Sequence, residues 1–198
     1  MQGSDGNKQS TTWVATKDLD LARRASADRA AAEELLTRVR PRVQYAIRIL
    51  MGNDPDVGDM LSQTMLEILE SVGNYKGMGS LEAWAGRIAF HTVSGYMKRR
   101  RMIERVMTIE SNDVGMAKTN PEKETSKSMI RQKVSIALNK LPKERRNTLV
   151  LRLIFGHSIA EIAKLTDVPV NTVRSRLRTG LRELRRGVAS ERDYLLAK

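Results

Sequence analysis

The sequence contains no cysteine, which excludes a disulfide framework and any metal site built from thiolates. Histidine is almost as rare. Only His91 and His157 carry an imidazole, and two isolated histidines are expected to be surface or core residues rather than metal ligands. Aromatic residues make up 4% of the chain, so base stacking on an aromatic platform is not expected as the main mode of nucleic-acid binding. We therefore expect no cofactor and no metal.

Residue combinations typical of catalysis are also missing. The sequence shows no Ser/His/Asp order and no paired carboxylates in a context that would form a pocket. The glycine-rich segment 75–80 lacks the Gly-Lys-Ser/Thr ending of a nucleotide-binding P-loop. The sequence therefore predicts a protein that is not an enzyme.

Long apolar runs are absent, and none approaches the roughly 18 residues of a membrane-spanning helix. Residues 1–16 lack the basic-then-apolar order of a signal peptide. We therefore expect a cytoplasmic protein with no membrane insertion. Proline is rare, and apolar residues recur at spacings of three and four, which predicts an all-α fold.

Positive charge is what the sequence has in excess. It contains 35 Lys+Arg against 23 Asp+Glu, a formal charge of +12, which predicts salt-dependent binding to a polyanion. The charge is unevenly distributed. Residues 129–186 carry 14 basic and 4 acidic side chains, whereas residues 54–82 carry six acidic side chains and one basic. This asymmetry predicts two partners of different charge.

Residues 141–184 predict a helix, a tight turn and a second helix. Ser158 is placed to cap the first helix, and Glu161 three residues later completes a capping box. Asp167 tolerates the left-handed backbone that the turn requires, and Pro169 suits the first position of the second helix. This is the arrangement of a helix-turn-helix motif, which inserts its second helix into the DNA major groove.

The second helix separates into two faces at about 100° per residue. The side predicted to face the core carries Val170, Val173, Leu177, Leu181 and Leu184. The predicted DNA-binding residues are Asn171, Thr172, Arg174, Ser175, Arg176, Arg178, Thr179 and Arg182. We expect Arg178 to read a base and the other three arginines, nearer the rims, to contact phosphates. The alternative is an ordinary solvated face on a basic helix.

The apolar periodicity divides the chain into two small helical domains joined by a flexible linker. The predicted segments are a mobile tail at 1–17, a helical domain at 18–107, a linker at 108–128, the helix-turn-helix domain at 129–186 and a tail at 187–198. Within the first domain we predict helices at 18–25, from Ser26, from Asp56 or Asp59, and from Leu81 to about Met102. A glycine-containing loop at 73–79 precedes the last of these, and Ser80 is its predicted N-cap.

Two blocks within about residues 30–186 resemble the bacterial sigma-70 family, in particular its small extracytoplasmic-function type. The C-terminal block resembles the family's region 4 through Leu141-Pro142-Lys143-Glu144-Arg145-Arg146 and Val168-Pro169-Val170-Asn171-Thr172-Val173-Arg174-Ser175-Arg176-Leu177. The N-terminal block resembles region 2 through Asp59-Met60-Leu61, Ser80-Leu81-Glu82-Ala83-Trp84 and Arg87-Ile88-Ala89. The sequence departs from the family at Thr166-Asp167, where Leu-Gly is usual, and at Met65 and His91, where Phe and Asn are usual.

The resemblance implies a transcription initiation factor whose partners are core RNA polymerase, promoter DNA and an anti-sigma factor. In the family, region 2 binds the polymerase clamp helices and melts the −10 element, and region 4 binds the −35 element and touches the polymerase flap. The implied polymerase-binding residues are Asp56, Asp59, Gln63 and Glu67. The implied residues for the −10 element and melting are Asn74, Tyr75, Lys76, Ser80, Lys98, Arg99, Arg100 and Arg101.

Two other interpretations remain open at the level of the sequence. One is a stand-alone helix-turn-helix regulator that binds duplex DNA as a dimer, without polymerase. The other is a basic protein that coats nucleic acid without sequence preference. The block at 54–101, which resembles a promoter-melting region, argues against both.

Overall fold

The computed structural model describes the backbone of residues 6–107 and 126–196 and the side chains of residues 16–105 and 130–189. The described residues form helices and no strands, which confirms the all-α prediction. The helices are α1 (Gly6–Ala25), α2 (Arg29–Met51), α3 (Val57–Ser71), α4 (Leu81–Met107), α5 (Ser126–Asn139), α6 (Lys143–Leu149), α7 (Ile159–Thr166) and α8 (Val170–Leu196). A 3₁₀ turn (Val72–Asn74) follows α3, and a π-helical turn (Val150–Ile154) continues α6.

Both terminal helices are longer than the sequence predicts. Helix α1 already begins at Gly6. The polar residues before Asp18 lack an apolar stripe, and for that reason the sequence predicts a tail there. They contain no residue that interrupts a helix, so the helix extends through them. Helix α8 continues to Leu196 through Gly187, although the sequence predicts a tail from that residue. Gly187 packs against α5, where an added Cβ would lie 3.1 Å from Ala137 Cβ. The predicted linker falls largely on residues 108–125, outside the described part of the chain.

The chain divides into two compact units. The described residues up to 45, together with 58–103, form the first unit. Residues 46–57 and the described residues from 104 onward form the second. The predicted domain 18–107 therefore includes a segment, 46–57, that groups with the second unit, and helical periodicity along α2 carries no signal for such a division. The predicted boundaries at 107 and 129 remain predictions.

The core of the first unit is built by one apolar residue per turn from three helices. Helix α2 begins after Asp28, whose Oδ2 accepts the N–H of Ala31 at 2.8 Å. Buried apolar residues of α3 and α4 complete this core. The fully buried side chains of this core include Leu35, Val39, Val43, Ile68, Leu81, Ala85 and Ala89. The spacing of the apolar residues along α2 predicts this stripe.

The second unit packs α8 against α5, α6 and α7. Its buried side chains include Leu138, Leu149, Leu151, Ile162, Val173 and Leu177. The Arg145 guanidinium of α6 binds both carboxylate oxygens of Glu183 on α8, at 2.7 and 2.8 Å. Gly180 lets α8 approach α6 closely, because an added Cβ there would lie 3.1 Å from Leu149 Cδ1. These contacts fix the orientation of the helix that carries the predicted DNA-binding residues.

Candidate nucleic-acid and polymerase interfaces

The helix-turn-helix motif forms as the sequence predicts. Ser158 and Glu161 make a complete capping box at the start of α7, with hydrogen bonds of 3.2 and 2.8 Å. Asp167 adopts the left-handed conformation in the turn, at φ 52°. Helix α8 begins at Val170, one residue later than predicted, and the carbonyl of Pro169 accepts the N–H groups of Thr172 and Val173.

The outer face of α8 presents most of the predicted DNA-binding residues to solvent. Exposed residues on this helix are Asn171, Arg174, Ser175, Arg178 and Arg182, and those of intermediate exposure are Thr172, Arg176 and Thr179. Arg174 Nη1 donates a hydrogen bond to Asn171 Oδ1 at 2.9 Å, so these two predicted contacts hold each other in the free protein. Of the predicted inward residues, Val170 is 38% exposed and lies at the edge of the core. The surface is hydrogen-bonding and cationic, as a major-groove reader requires.

The loop between α3 and α4 is closed by Tyr75. The Tyr75 side chain is 5% exposed, its hydroxyl donates to the carbonyl of Gly79 at 2.7 Å, and its ring centroid lies 5.6 Å from that of Trp84. Burial, with a smaller effect of the nearby Asp18 charge, raises the pKa of Tyr75 to about 12, so the phenol is protonated at neutral pH. Tyr75 thus shapes the loop from inside, and its contact with promoter DNA remains a prediction.

The part of the loop that projects outward is short. Gly77 and Gly79 have φ values of 71° and 88°, a conformation that other residues rarely adopt. Asn74 and Lys76 are exposed, and the Met78 side chain between the glycines is 75% exposed. Ser80 Oγ accepts the N–H of Ala83 at 3.1 Å, which confirms its predicted role as the cap of α4. Ser80 therefore supports the end of the loop. Met78 is exposed in the loop but is not among the residues that the sequence predicts to contact DNA.

The basic end of α4 is mostly open to solvent. Lys98, Arg99 and Arg101 are exposed. Arg100 is of intermediate exposure, and its Nη1 donates to the Tyr96 hydroxyl at 3.2 Å. Three of the four predicted phosphate contacts are therefore freely presented, and the fourth is partly held against its own helix.

The predicted polymerase-binding residues divide into two groups. Asp59 and Gln63 are exposed on α3. Glu67 is partly buried, and its carboxylate accepts the Thr92 hydroxyl of α4 at 2.6 Å and the Gln63 amide at 3.0 Å. The backbone N–H of Asp56, before α3, donates to Asp54 Oδ1 at 3.0 Å. Glu67 therefore contributes to the contact between α3 and α4, and its role in polymerase binding remains a prediction.

Leu66 completes the exposed face of α3. It is 56% exposed and lies seven residues after Asp59, so the two residues and Gln63 share one side of the helix. A single exposed leucine is common on protein surfaces, so Leu66 adds apolar area to this face without by itself marking an interface. The sequence shows that Leu66 lies off the inward stripe of α3. The prediction of a polymerase-binding surface on α3, however, rests only on its acidic residues.

An ion-pair cluster with one fully buried member, Asp18, joins α1, α2 and α4 at the base of the loop. Asp18 is 1% exposed, and its Oδ1 lies 2.6 Å from Arg38 Nη2. Arg38 Nε in turn donates to Glu82 Oε1 at 3.0 Å. Asp18 Oδ2 also accepts the backbone N–H of Leu81 at 2.9 Å. We call Asp18, Arg38 and Glu82 the acidic clamp; the sequence contains no local signal for it, because its members are 20 or more residues apart.

The acidic clamp predicts that the first unit loses stability in acid. Burial of the Glu82 carboxyl raises its pKa. Hydrogen bonds from Arg38 and from its own backbone N–H lower the pKa by more than burial raises it, so the net pKa is below the ordinary 4.5. A lowered folded-state pKa stabilises the protein above the ordinary value, and this contribution is lost as the pH falls through the folded value. Glu82→Gln should therefore cost about 1–2 kcal/mol near neutral pH, and the cost should be smaller at an acidic pH well below 4.5.

Urea unfolding followed by Trp84 fluorescence in a Trp13→Phe background would measure this difference. Glu33→Gln is the matched control, because Glu33 is exposed on α2 and pairs only with the exposed Arg29 among the described residues. If Glu82→Gln lowers the free energy of unfolding by the same amount at both pH values, the stabilisation does not come from the ionised Glu82 carboxylate.

The described residues hold no group of three His, Cys, Asp or Glu side chains arranged to bind a metal ion. In the same part of the chain, no helix is long and apolar enough to cross a membrane.

Comparison with known sequences identifies related proteins for both units. Residues 131–184 match the family described as Sigma-70, region 4, which covers the helix-turn-helix motif. The ECF RNA polymerase sigma factor SigE of Mycolicibacterium smegmatis is 33% identical over 175 residues, which are 86% of this chain and 65% of that protein. The chain thus spans just under two thirds of that relative. The ECF sigma-E factor of Escherichia coli K12 is 32% identical over 130 residues, or 62% of this chain and 68% of that protein.

Solved structures with the same fold include two protein complexes. CnrH bound to the cytosolic domain of CnrY superposes with a TM-score of 0.56 at 20% identity, over 87% of this chain and 97% of that one. RpoE bound to the anti-sigma factor NepR, from Bartonella quintana, gives a TM-score of 0.58 at 18% identity, over 79% and 96%. At these identities the likeness concerns the fold.

Proposed function

This chain belongs to the ECF family of RNA polymerase sigma factors, and on that premise we propose that it binds core RNA polymerase, recognises the −35 and −10 promoter elements and supports promoter melting in the cytoplasm. The observation that carries the proposal is the outer face of α8. It offers exposed hydrogen-bonding and cationic groups on a helix that the turn at Asp167 and the Arg145–Glu183 ion pair hold in one orientation. A sigma factor supplies promoter recognition, and the chemistry of RNA synthesis belongs to the polymerase.

We assign −35 recognition to α8 and −10 recognition to the first unit. The loop offers Asn74, Lys76 and Met78 outward, and the left-handed glycines at 77 and 79 allow it to close around an extruded base. Lys98, Arg99 and Arg101 at the basic end of α4 supply the charge that phosphates require. Under this proposal, base readers and phosphate anchors lie in the same unit.

We assign core polymerase binding to the face of α3 that carries Asp59, Gln63 and Leu66. An exposed leucine beside an acidic and an amide side chain offers apolar contact area and charge to a basic partner surface. Asp59→Lys should weaken co-purification with core polymerase about tenfold, an effect within the range of one close interfacial charge pair.

The control for this experiment is Glu33→Lys, which makes the same charge change on an exposed residue of α2. Glu67→Lys is a poor test, because it would also break the hydrogen bond to Thr92. Equal retention of polymerase by wild type and Asp59→Lys, in buffer where Glu33→Lys is neutral, would show that α3 is the wrong surface.

We further propose regulation by an anti-sigma factor that masks these surfaces. The support is that two structures sharing the fold are complexes, one with the cytosolic domain of CnrY and one with the anti-sigma factor NepR. A neighbouring gene product that binds one-to-one and blocks polymerase association would support the proposal. Constitutive activity in the native host under all conditions would contradict it.

Run-off transcription with purified core polymerase on genomic DNA tests the proposed function as a whole. We expect discrete transcripts whose upstream sequences share two elements, produced only when the protein is added. Specific binding of a duplex by the protein alone, as a dimer and without any stimulation of transcription, would instead support a stand-alone helix-turn-helix regulator. Binding without sequence preference would support a protein that coats nucleic acid.

A further inference from the structure

Helix α1 lies against both ends of the loop that we assign to the −10 element. It contacts the 3₁₀ turn Val72–Asn74, where the loop begins. Its Asp18 carboxylate accepts the N–H of Leu81, the first residue of α4, where the loop ends. Helix α1 thus touches the two points that define the span and direction of the loop.

The bond to Leu81 fixes the end of the loop more firmly than the Ser80 cap alone. A helix N-terminus carries unsatisfied N–H groups and partial positive charge, and a carboxylate satisfies both. Ser80 Oγ takes the N–H of Ala83, and Asp18 takes that of Leu81 from another helix. Asp18 is 1% exposed and lies 2.6 Å from Arg38 Nη2, so contacts outside the loop hold its carboxylate in place.

The loop itself is tied internally at the same place. Tyr75 donates its hydroxyl to the carbonyl of Gly79 at 2.7 Å, which ties the start of the projecting segment to its end. Tyr75 and Leu81 are therefore the fixed points, and residues 76–79 are the part left to project. A movement of Asp18 would reach the projecting residues through Leu81, at the start of α4.

A buried charge adds little net stability, because removing it from water costs free energy that its ion pair only partly offsets. Well-packed apolar residues often replace a buried ion pair without loss, and such pairs are best explained where they define one arrangement among several. Here Asp18 is the fully buried charge, and its carboxylate accepts the N–H of Leu81 at the end of the loop. The geometry therefore favours a positioning role for the clamp.

We propose that Asp18, held by Arg38, is a positioning residue for −10 recognition, and that α1 acts as the base on which the −10 loop is built. This inference rests on the proposed function of the loop. It places a determinant of promoter selectivity in α1, outside both the loop and the basic end of α4.

The test compares Asp18→Ala and Asp18→Asn with Asp20→Asn in full-length protein assembled with core polymerase. Asp20 lies two residues away on the same helix, is exposed and pairs only with Arg24 among the described residues, so it controls for the loss of a carboxylate on α1. Transcription is measured at saturating protein on three templates: a promoter recovered from the run-off experiment, the same promoter with a substituted −10 element, and the same promoter already unpaired across that element.

We expect Asp18→Ala to reduce the ratio of transcription between the first two templates about tenfold, the loss expected from one buried charged hydrogen bond. Asp18→Asn should reduce this ratio by less than Asp18→Ala does. Its amide oxygen still accepts the Leu81 N–H but no longer carries a charge that pairs with Arg38. Asp20→Asn should match wild type, and all variants should be equal on the unpaired template if polymerase binding is intact.

Equal ratios for wild type, Asp18→Ala and Asp18→Asn would overturn the inference, and so would a loss of the same size on all three templates, which is the signature of a folding defect. Should Asp18→Ala fail to unfold cooperatively, Asp18→Asn alone decides between these outcomes. A wild-type protein that shows no preference between the first two templates would instead refute the proposed function of the loop.

Discussion

Gly180→Leu is expected to unfold the second unit under conditions in which Gly180→Ala remains folded. Gly180 is buried on α8, and a Cβ added there would lie 3.1 Å from Leu149 Cδ1 and 3.4 Å from Arg145 Cβ. Alanine meets the flexible end of a leucine, which can shift by a few tenths of an ångström. Leucine adds three carbons in the same space, and overpacking of this kind costs about 1–3 kcal/mol or more. Loss of the α6–α8 contact would also remove the Arg145–Glu183 ion pair.

Comparison of the two substitutions isolates packing from helix propensity. Alanine and leucine have nearly the same intrinsic preference for helices, and both exceed glycine by up to about 1 kcal/mol. Arg185→Leu is the control on the same helix, because Arg185 is exposed. Thermal unfolding of the three variants measures the difference. A Gly180→Leu protein as stable as Gly180→Ala would show that the helices do not approach as closely as the contact requires.

The helix-turn-helix motif is predictable because its determinants are local. The capping box joins Ser158 and Glu161, and the turn depends on the backbone of Asp167 alone, so every partner lies within a few residues. The buried face of α8 follows from the 3.6-residue period. Gly180 falls on that same face by the same angle, but a glycine has no side chain and so adds nothing to an apolar pattern.

The acidic clamp is not predictable, because it depends on which helices meet. Asp18 and Leu81 are 63 residues apart, and Arg38 and Glu82 are 44 apart. The same is true of Tyr75, whose inward orientation follows from the pocket offered by Trp84 and the loop carbonyl. A single sequence gives the type of each residue here and the helix that carries it, but the partner across the unit becomes visible only in the fold.

Burial also decides where the excess positive charge is displayed. Four carboxylates each bind a side chain of a neighbouring helix within their own unit: those of Asp18, Glu67, Glu82 and Glu183. These carboxylates are committed to the fold. The basic side chains on the outer face of α8 and at the end of α4 remain largely exposed, so the surfaces assigned to DNA are more positive than the composition alone indicates.

Arg178→Ala is expected to relax sequence preference at one position of the −35 element. Arg178 is exposed in the third turn of α8, between the Asn171 and Ser175 turns and the rim at Arg182. Its guanidinium has the fork geometry that pairs with guanine O6 and N7, and a good pair of this kind discriminates by about 1–3 kcal/mol. Selection of binding sites from a random library by the polymerase complex measures the change, and we expect one position of the motif to lose its preference.

Arg176→Ala is the matched comparison, since it removes the same group from the flank of the same helix. Arg176 is of intermediate exposure, and we expect it to contact a phosphate, which positions α8 without reading sequence. Its loss should weaken all sites alike and reduce the slope of affinity against salt by about one unit, with the motif unchanged. Arg174 is less suitable for this comparison, because its bond to Asn171 would be lost as well. A motif that stays the same for Arg178→Ala but changes for Arg176→Ala would reverse the assignment of base reader and phosphate anchor, and would place the groove against the other flank of α8.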